Sequence, residues 1–141
     1  MTGKGVSNSL PGVTAFGRIA YSPPDRNLID LYLDGGIGVV GLVPGRPSDR
    51  MGIAMAYMRI SGADQNLGRD TQFFTGVAGP VRSSEKVLEL IYEAHIRPGL
   101  LAPYFQYVFR PSGGVPNPND PTGVSRIGDA AVFGRTTTIR Y

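Results

Sequence analysis

Leu28-Ile-Asp-Leu-Tyr-Leu-Asp-Gly-Gly-Ile-Gly-Val-Val-Gly-Leu42 is the stretch that decides the fold. Successive side chains of an extended strand point to opposite sides, so residues two apart share a face. Read that way, Ile29, Leu31, Leu33, Ile37 and Val39 lie together, and Asp30, Tyr32, Asp34, Gly36 and Gly38 lie opposite them. A helix is disfavoured here because Gly35, Gly36 and Gly38 would each weaken it. One greasy side and one polar side, carried by a single strand, imply a sheet that meets two different solvents.

The rest of the chain repeats this design. Strands are expected over Thr14 to Ser22, Leu28 to about Leu42, Arg50 to Ser61, about Ser84 to Ile96, Leu101 to Arg110, and Asp129 to Tyr141. Arg50 to Ser61 and Ser84 to Ile96 contain good helix formers, but their apolar period is two and their flanks are turns. Pro23-Pro24-Asp25-Arg26-Asn27, Pro44-Gly45-Arg46-Pro47-Ser48-Asp49 and Arg97-Pro98-Gly99 interrupt the strands, since Pro cannot donate to a ladder. Two connections are much longer, Gly62 to about Ser83 and Pro111 to Gly128, and both are read as loops. After the second strand the connections therefore run short, long, short, long. Strands that cross a membrane up and down, with turns on one side and loops on the other, give that alternation. The expected fold class is all-β: an antiparallel up-and-down transmembrane β-barrel segment of about six strands. A soluble antiparallel β-sandwich or barrel that binds a ligand is the rival, and it would bury its apolar faces against each other.

Composition narrows the function. At 141 residues the chain suits one domain, and its 20 Gly and 12 Pro oppose a helical protein. No apolar run approaches the roughly 18 residues of a spanning helix, which leaves spanning strands untouched. The net charge of +3 comes from basic residues scattered singly, unlike the clusters that follow a phosphate backbone, so no nucleic-acid partner is expected. The lack of Cys and the single His, His95, argue against metal sites and thiol chemistry, and no cofactor is expected. Glu89 and Glu93 share the strand face of His95, yet residues two apart on a strand stand about 6–7 Å apart. No nucleophile motif or phosphate loop occurs, so an enzyme is not expected.

The candidates for function are polar residues on the non-apolar faces. Asp30 and Asp34 occupy the second strand, Glu89, Glu93 and His95 the fourth, Tyr104, Gln106 and Arg110 the fifth, and Arg18 the first. Each alone reads as an ordinary solvated residue; together they read as the wall of a pore. Carboxylates and guanidinium groups there would hydrogen-bond a polar solute, Tyr104 would offer it an aromatic face, and opposed charges select against ions. Tyr21, Tyr57, Tyr92, Phe105, Tyr107 and Tyr141 are candidates for aromatic girdles at the membrane surfaces.

Several stretches in one order resemble the C-terminal part of a carbohydrate-selective porin of the OprB type. They are Phe16-Gly17-Arg18-Ile19-Ala20-Tyr21-Ser22-Pro23, Gly41-Leu42-Val43-Pro44-Gly45-Arg46-Pro47-Ser48-Asp49, and Gly52-Ile53-Ala54-Met55-Ala56-Tyr57-Met58-Arg59-Ile60-Ser61. Glu85, Leu88-Glu89 and Tyr92 continue the likeness. Its most specific piece is Gln106-Tyr107-Val108-Phe109-Arg110-Pro111-Ser112-Gly113-Gly114-Val115-Pro116-Asn117-Pro118, followed by Asp129-Ala130-Ala131-Val132 and the aromatic end. The resemblance implies a bacterial outer-membrane barrel of about sixteen strands for passive diffusion of glucose and similar monosaccharides. Outer-membrane lipids would surround it, and a homo-oligomeric full-length porin is compatible with it. It further implies that residues 1–141 are the C-terminal portion of one barrel domain, with the N-terminal strands and export signal missing. The first nine residues carry no apolar signal core, and Met1 opens just before the first strand, as in a truncated reading frame. One residue departs from the pattern: counting back by twos from Tyr141 places Arg135 on the greasy face, where a charge at mid-bilayer costs about 2–4 kcal/mol.

Overall fold

The computed structural model describes residues 12–139. Six strands form one antiparallel sheet in sequence order: β1 (Val13–Tyr21), β2 (Ile29–Val40), β3 (Arg50–Ile60), β4 (Ser84–Ile96), β5 (Gly99–Phe109) and β6 (Ala130–Ile139). One helix, α1 (Gly62–Thr75), lies between β3 and β4, and a 3-10 turn (Pro111–Gly113) follows β5. Arg140 and Tyr141 lie outside the described residues, and so does the assignment of Tyr141 to a girdle.

Pairing of neighbours fixes which side chains share a face. Rows such as Ala15–Ile37–Ile53–Leu90–Phe105–Phe133 and Gly17–Gly35–Met55–Leu88–Tyr107–Ala131 cross the sheet on one side without a charge. The ring pairs Phe105–Phe133 and Tyr107–Phe109, with centroids 4.8 and 4.7 Å apart, stand on this side. The other side carries Arg18, Asp34, Glu89, Glu93, Tyr104 and Gln106, the division expected from alternation. Arg135 does fall on the apolar side, opposite Pro103 and in the turn-side half of β6.

Among the described residues no second sheet covers either side. Among the described residues the buried apolar side chains are Ile60, Ala94 and Ala102, whereas Phe133, Val13, Ile19 and Ile53 are exposed. A sandwich of this size would inter its apolar face in a dry interior, so the sheet does not have the sandwich architecture.

The stretch expected as a loop from Gly62 to about Ser83 holds α1 instead. Ser61 caps its start: the Ser61 Oγ accepts from the Asp64 N–H at 3.4 Å, a Ser-x-x-Asp pattern that pays off an orphan donor. Gly76 ends it in the left-handed conformation (φ 70°), its N–H donating to the Gln72 carbonyl. No residue of α1 is buried, and Leu67, Phe73 and Phe74 are exposed. A helix held by caps and by links back to the sheet, with no packed apolar stripe, lacks the period that sequence reading relies on.

The sheet has one plain end and one elaborate end. Residues 41–49 and 97–98 join strands at the first; residues 22–28, α1 with 76–83, and 110–129 lie at the second. The elaborate end is knitted by backbone bonds: Ile60 N–H to Ser83 carbonyl, Ser61 N–H to Leu28 carbonyl, and Ser83 N–H to Gly113 carbonyl, each 2.8 Å. Asp30, buried where the β2–β3 register shifts, accepts from both Arg59 nitrogens at 2.8 and 3.1 Å. Gly113 (φ 80°) closes this knot, and a Cβ there would meet Ile60 Cγ1 at 2.6 Å. Gly113→Ala is therefore expected to lose about 1–3 kcal/mol of stability through strained backbone and overpacking, read as a lower unfolding midpoint in detergent micelles.

Candidate functional site

The polar side of the sheet is built row by row. On β1, Arg18 donates to both carboxylate oxygens of Asp34 on β2, Nε to Oδ1 at 3.0 Å and Nη2 to Oδ2 at 2.6 Å. The two are direct register partners, so the fork meets the carboxylate without distortion of either strand. The guanidinium also stands 5.7 Å from the Tyr32 ring, a cation–π distance. Asp34 is largely covered while Arg18 remains open to solvent.

Across the sheet Glu89 on β4 accepts a hydrogen bond from the Gln106 amide on β5, its register partner. Tyr104 stands opposite Gly134, and its ring fills the place a Cβ of Gly134 would take. Between these groups β2 and β3 offer only small residues: Gly36, Gly38, Gly52, Ala54 and Ala56 occupy the same side. The polar wall thus has two raised flanks, Arg18 with Asp34 on one and Glu89, Gln106 and Tyr104 on the other, about three strand spacings of roughly 4.8 Å apart.

The other expected residues sit elsewhere. Glu93 is opposite Arg50 across the β3–β4 pair, nearer the plain end. Asp30 is buried in its ion pair with Arg59 at the elaborate end. Arg110 lies beyond β5 with φ 50°; its backbone N–H donates to Asp129 at 2.9 Å and its Nη1 to the Ser83 Oγ at 3.1 Å. His95 is exposed at the plain end, where its backbone N–H donates to Asp49 Oδ1 at 2.9 Å. Arg18, Asp34, Glu89, Tyr104 and Gln106 therefore form the central wall, and Asp30, Arg110 and His95 belong to its ends.

Asp49, not singled out by its sequence, is the organising carboxylate of the plain end. Buried to 3% exposure, it accepts from the Arg46 guanidinium, the Tyr92 hydroxyl and the His95 N–H. The turn between β2 and β3 is thereby tied to β4. These donors, Arg46 first, hold the Asp49 carboxyl down at about 2, against the opposing effect of burial. The only sequence cue is an Asp closing a Pro-Gly turn, which is too common to pick out. Within the long connection after β5, Asp120 plays a local version of the same part. It accepts from the Ser125 N–H at 2.7 Å and the Thr122 N–H at 2.9 Å, and these hydrogen bonds lower its pKa.

Among the described residues no group of His, Cys, Asp and Glu side chains has the arrangement of a metal site. What the wall can do chemically is hydrogen-bond a neutral, hydroxyl-rich solute from fixed donors and acceptors.

The comparisons with known proteins agree with this geometry. The family described as carbohydrate-selective porin, OprB family, matches residues 3–141. A solved structure, the high-pH form of Pseudomonas putida OprB, superposes with a TM-score of 0.72 at 19% identity. The match covers 90% of this chain and 30% of that one, so the chain spans about a third of the length of the porin it resembles. No curated protein matches the sequence.

Because Asp49 ionises more readily folded than unfolded, its contribution is full above the ordinary carboxylate pKa and lost as pH falls from about 4 towards about 2. Thermal unfolding across that range should show an acid-side fall in midpoint for the parent, and Asp49→Asn should lower the plateau and flatten that fall.

Proposed function

Because this chain belongs to the OprB family of carbohydrate-selective porins, we propose that its sheet is a stretch of outer-membrane barrel wall through which glucose-like sugars diffuse passively. The observation that carries this reading is the segregation of one sheet into a side whose central rows are apolar, with charges only at positions such as Lys86 and Arg135, and a side bearing Arg18, Asp34, Glu89 and Gln106, with no second layer on either among the described residues. Facing acyl chains, the apolar side avoids the cost of hydrating its exposed Phe, Ile, Leu and Met residues. Facing water, the polar side removes the cost of carrying a sugar through hydrocarbon. Weak, repeated hydrogen bonds let the solute both enter and leave. The family and the fold are those of a channel.

In this reading the elaborate end with α1 is extracellular and the plain end periplasmic, as short turns and long loops are distributed in such barrels. Arg135, sixth of the ten residues of β6, would then extend its flexible stem towards the periplasmic headgroups, which lowers the cost of its charge. The sheet leaves β1 and β6 each with one unpaired edge among the described residues. In a bilayer such edges must be paired, so further strands would complete the barrel. Single-chain bacterial barrels start at about eight strands; the isolated six-stranded monomer should give no stable single-channel current in planar bilayers.

The chain has no cysteine, so an introduced thiol is the sole reporter. In membranes, Gln106→Cys is expected to react with a charged, membrane-impermeant methanethiosulfonate, and Leu90→Cys to resist it while meeting a lipid-soluble quencher. The opposite pattern, or protection of both thiols, would overturn the assignment of the two sides.

A further inference from the structure

We propose that Phe16 is a stacking platform for a pyranose ring on the channel wall, an inference that rests on the polar side of the sheet being that wall. Phe16 is the most exposed large apolar side chain described on this side, 58% against 40% for Val132, and it is flanked on the same strand face by Thr14 and Arg18. Its register partner is Gly36. A Cβ at Gly36 would lie 2.8 Å from Phe16 Cε1, 2.8 Å from the Ile53 carbonyl oxygen and 3.0 Å from the Ala54 Cβ. The ring thus reaches over the bare backbone of β2 at Gly36, and more than half of the side chain stays open.

The surroundings of that open side are polar and fixed. Arg18, two residues along β1 and so about 6–7 Å away, is locked by both oxygens of Asp34. Glu89 is the register partner of Ala54 and is itself held by Gln106. A flat apolar plate bracketed by oriented donors and acceptors matches a hexopyranose. Such a sugar presents C–H groups on the face of its ring and hydroxyls around the rim. The plate would take the C–H face and the two flanks the rim. An acyclic polyol offers the same hydroxyls without the flat face. The distinction the platform draws is accordingly between a pyranose ring, which has such a face, and an open-chain polyol, which does not.

The test is titration of the full chain in detergent micelles with D-glucose and with sorbitol, followed by saturation-transfer NMR. Strand content is checked in each variant by circular dichroism. The parent should transfer saturation to the glucose C–H protons and bind sorbitol more weakly. Phe16→Ala and Phe16→Leu should each weaken glucose by about fivefold, equivalent to about 1 kcal/mol, whereas Phe16→Tyr should retain it. If Glu89→Gln weakens glucose but the Phe16 variants bind like the parent, the wall reading survives and the platform is refuted. If Phe16→Leu binds like the parent while Phe16→Ala does not, the side chain acts by bulk and the platform is again refuted. If glucose does not bind, or no wall variant alters its binding, the wall reading fails and the platform with it.

Discussion

A sheet that, among the described residues, has no second layer on either side has to satisfy its backbone within its own plane. That constraint governs this molecule. The five antiparallel ladders do so continuously from β1 to β6, and each ladder locks the two-residue period of one strand to that of the next. Once locked, every side chain belongs to one of two sides, and a slip of one residue anywhere would move a carboxylate into the apolar rows. The charge-free rows through Met55 and Ile53, and the row through Arg18 and Asp34, exist because five registers agree. Little of the molecule's order comes from a buried core, which in the described residues amounts to Ile60, Ala94 and Ala102.

The ladders are closed off differently at the two ends. At the plain end a single carboxylate, Asp49, gathers donors from its own turn and from β4, so turn and strand are held as one unit. At the elaborate end the work is spread over backbone bonds, the Asp30–Arg59 pair and the seating of Gly113 on Ile60. Arg82 adds a link there, its Nε donating to the Ser112 carbonyl at 2.8 Å and its guanidinium facing Asp64 of α1 at 3.8 Å. These cross-ties position the two long connections against each other without giving either an apolar interior.

How much of this was legible in the sequence follows from the same physics. Alternation is a local property, so all six strands, the split of β2 into Leu31, Leu33, Ile37 and Val39 against Asp34, Gly36 and Gly38, and the placing of Arg135 could be read directly, whereas Ile29, beyond the register shift, pairs with Ile60 and leaves the face expected for it. The pairing of Arg18 with Asp34 and of Glu89 with Gln106 could not, because partners depend on loop lengths and register as well as pattern. Asp30 illustrates the difference. It alternates correctly with its neighbours, yet the register shift at the end of β2 buries it against Arg59. Helix α1 was hidden for another reason: its information lies in two caps, Ser61 with Asp64 and Gly76, and not in a hydrophobic stripe. A search for Ser-x-x-Asp followed about a dozen residues later by Gly would have found it.

The bare strip along β2 and β3, where Gly36, Gly38, Gly52, Ala54 and Ala56 project almost nothing, has a consequence for transit. In the barrel wall proposed above, this strip, apart from the Phe16 ring at Gly36, would stand back between its two polar flanks, so that anything passing along it would meet fixed partners on either hand and open water in front.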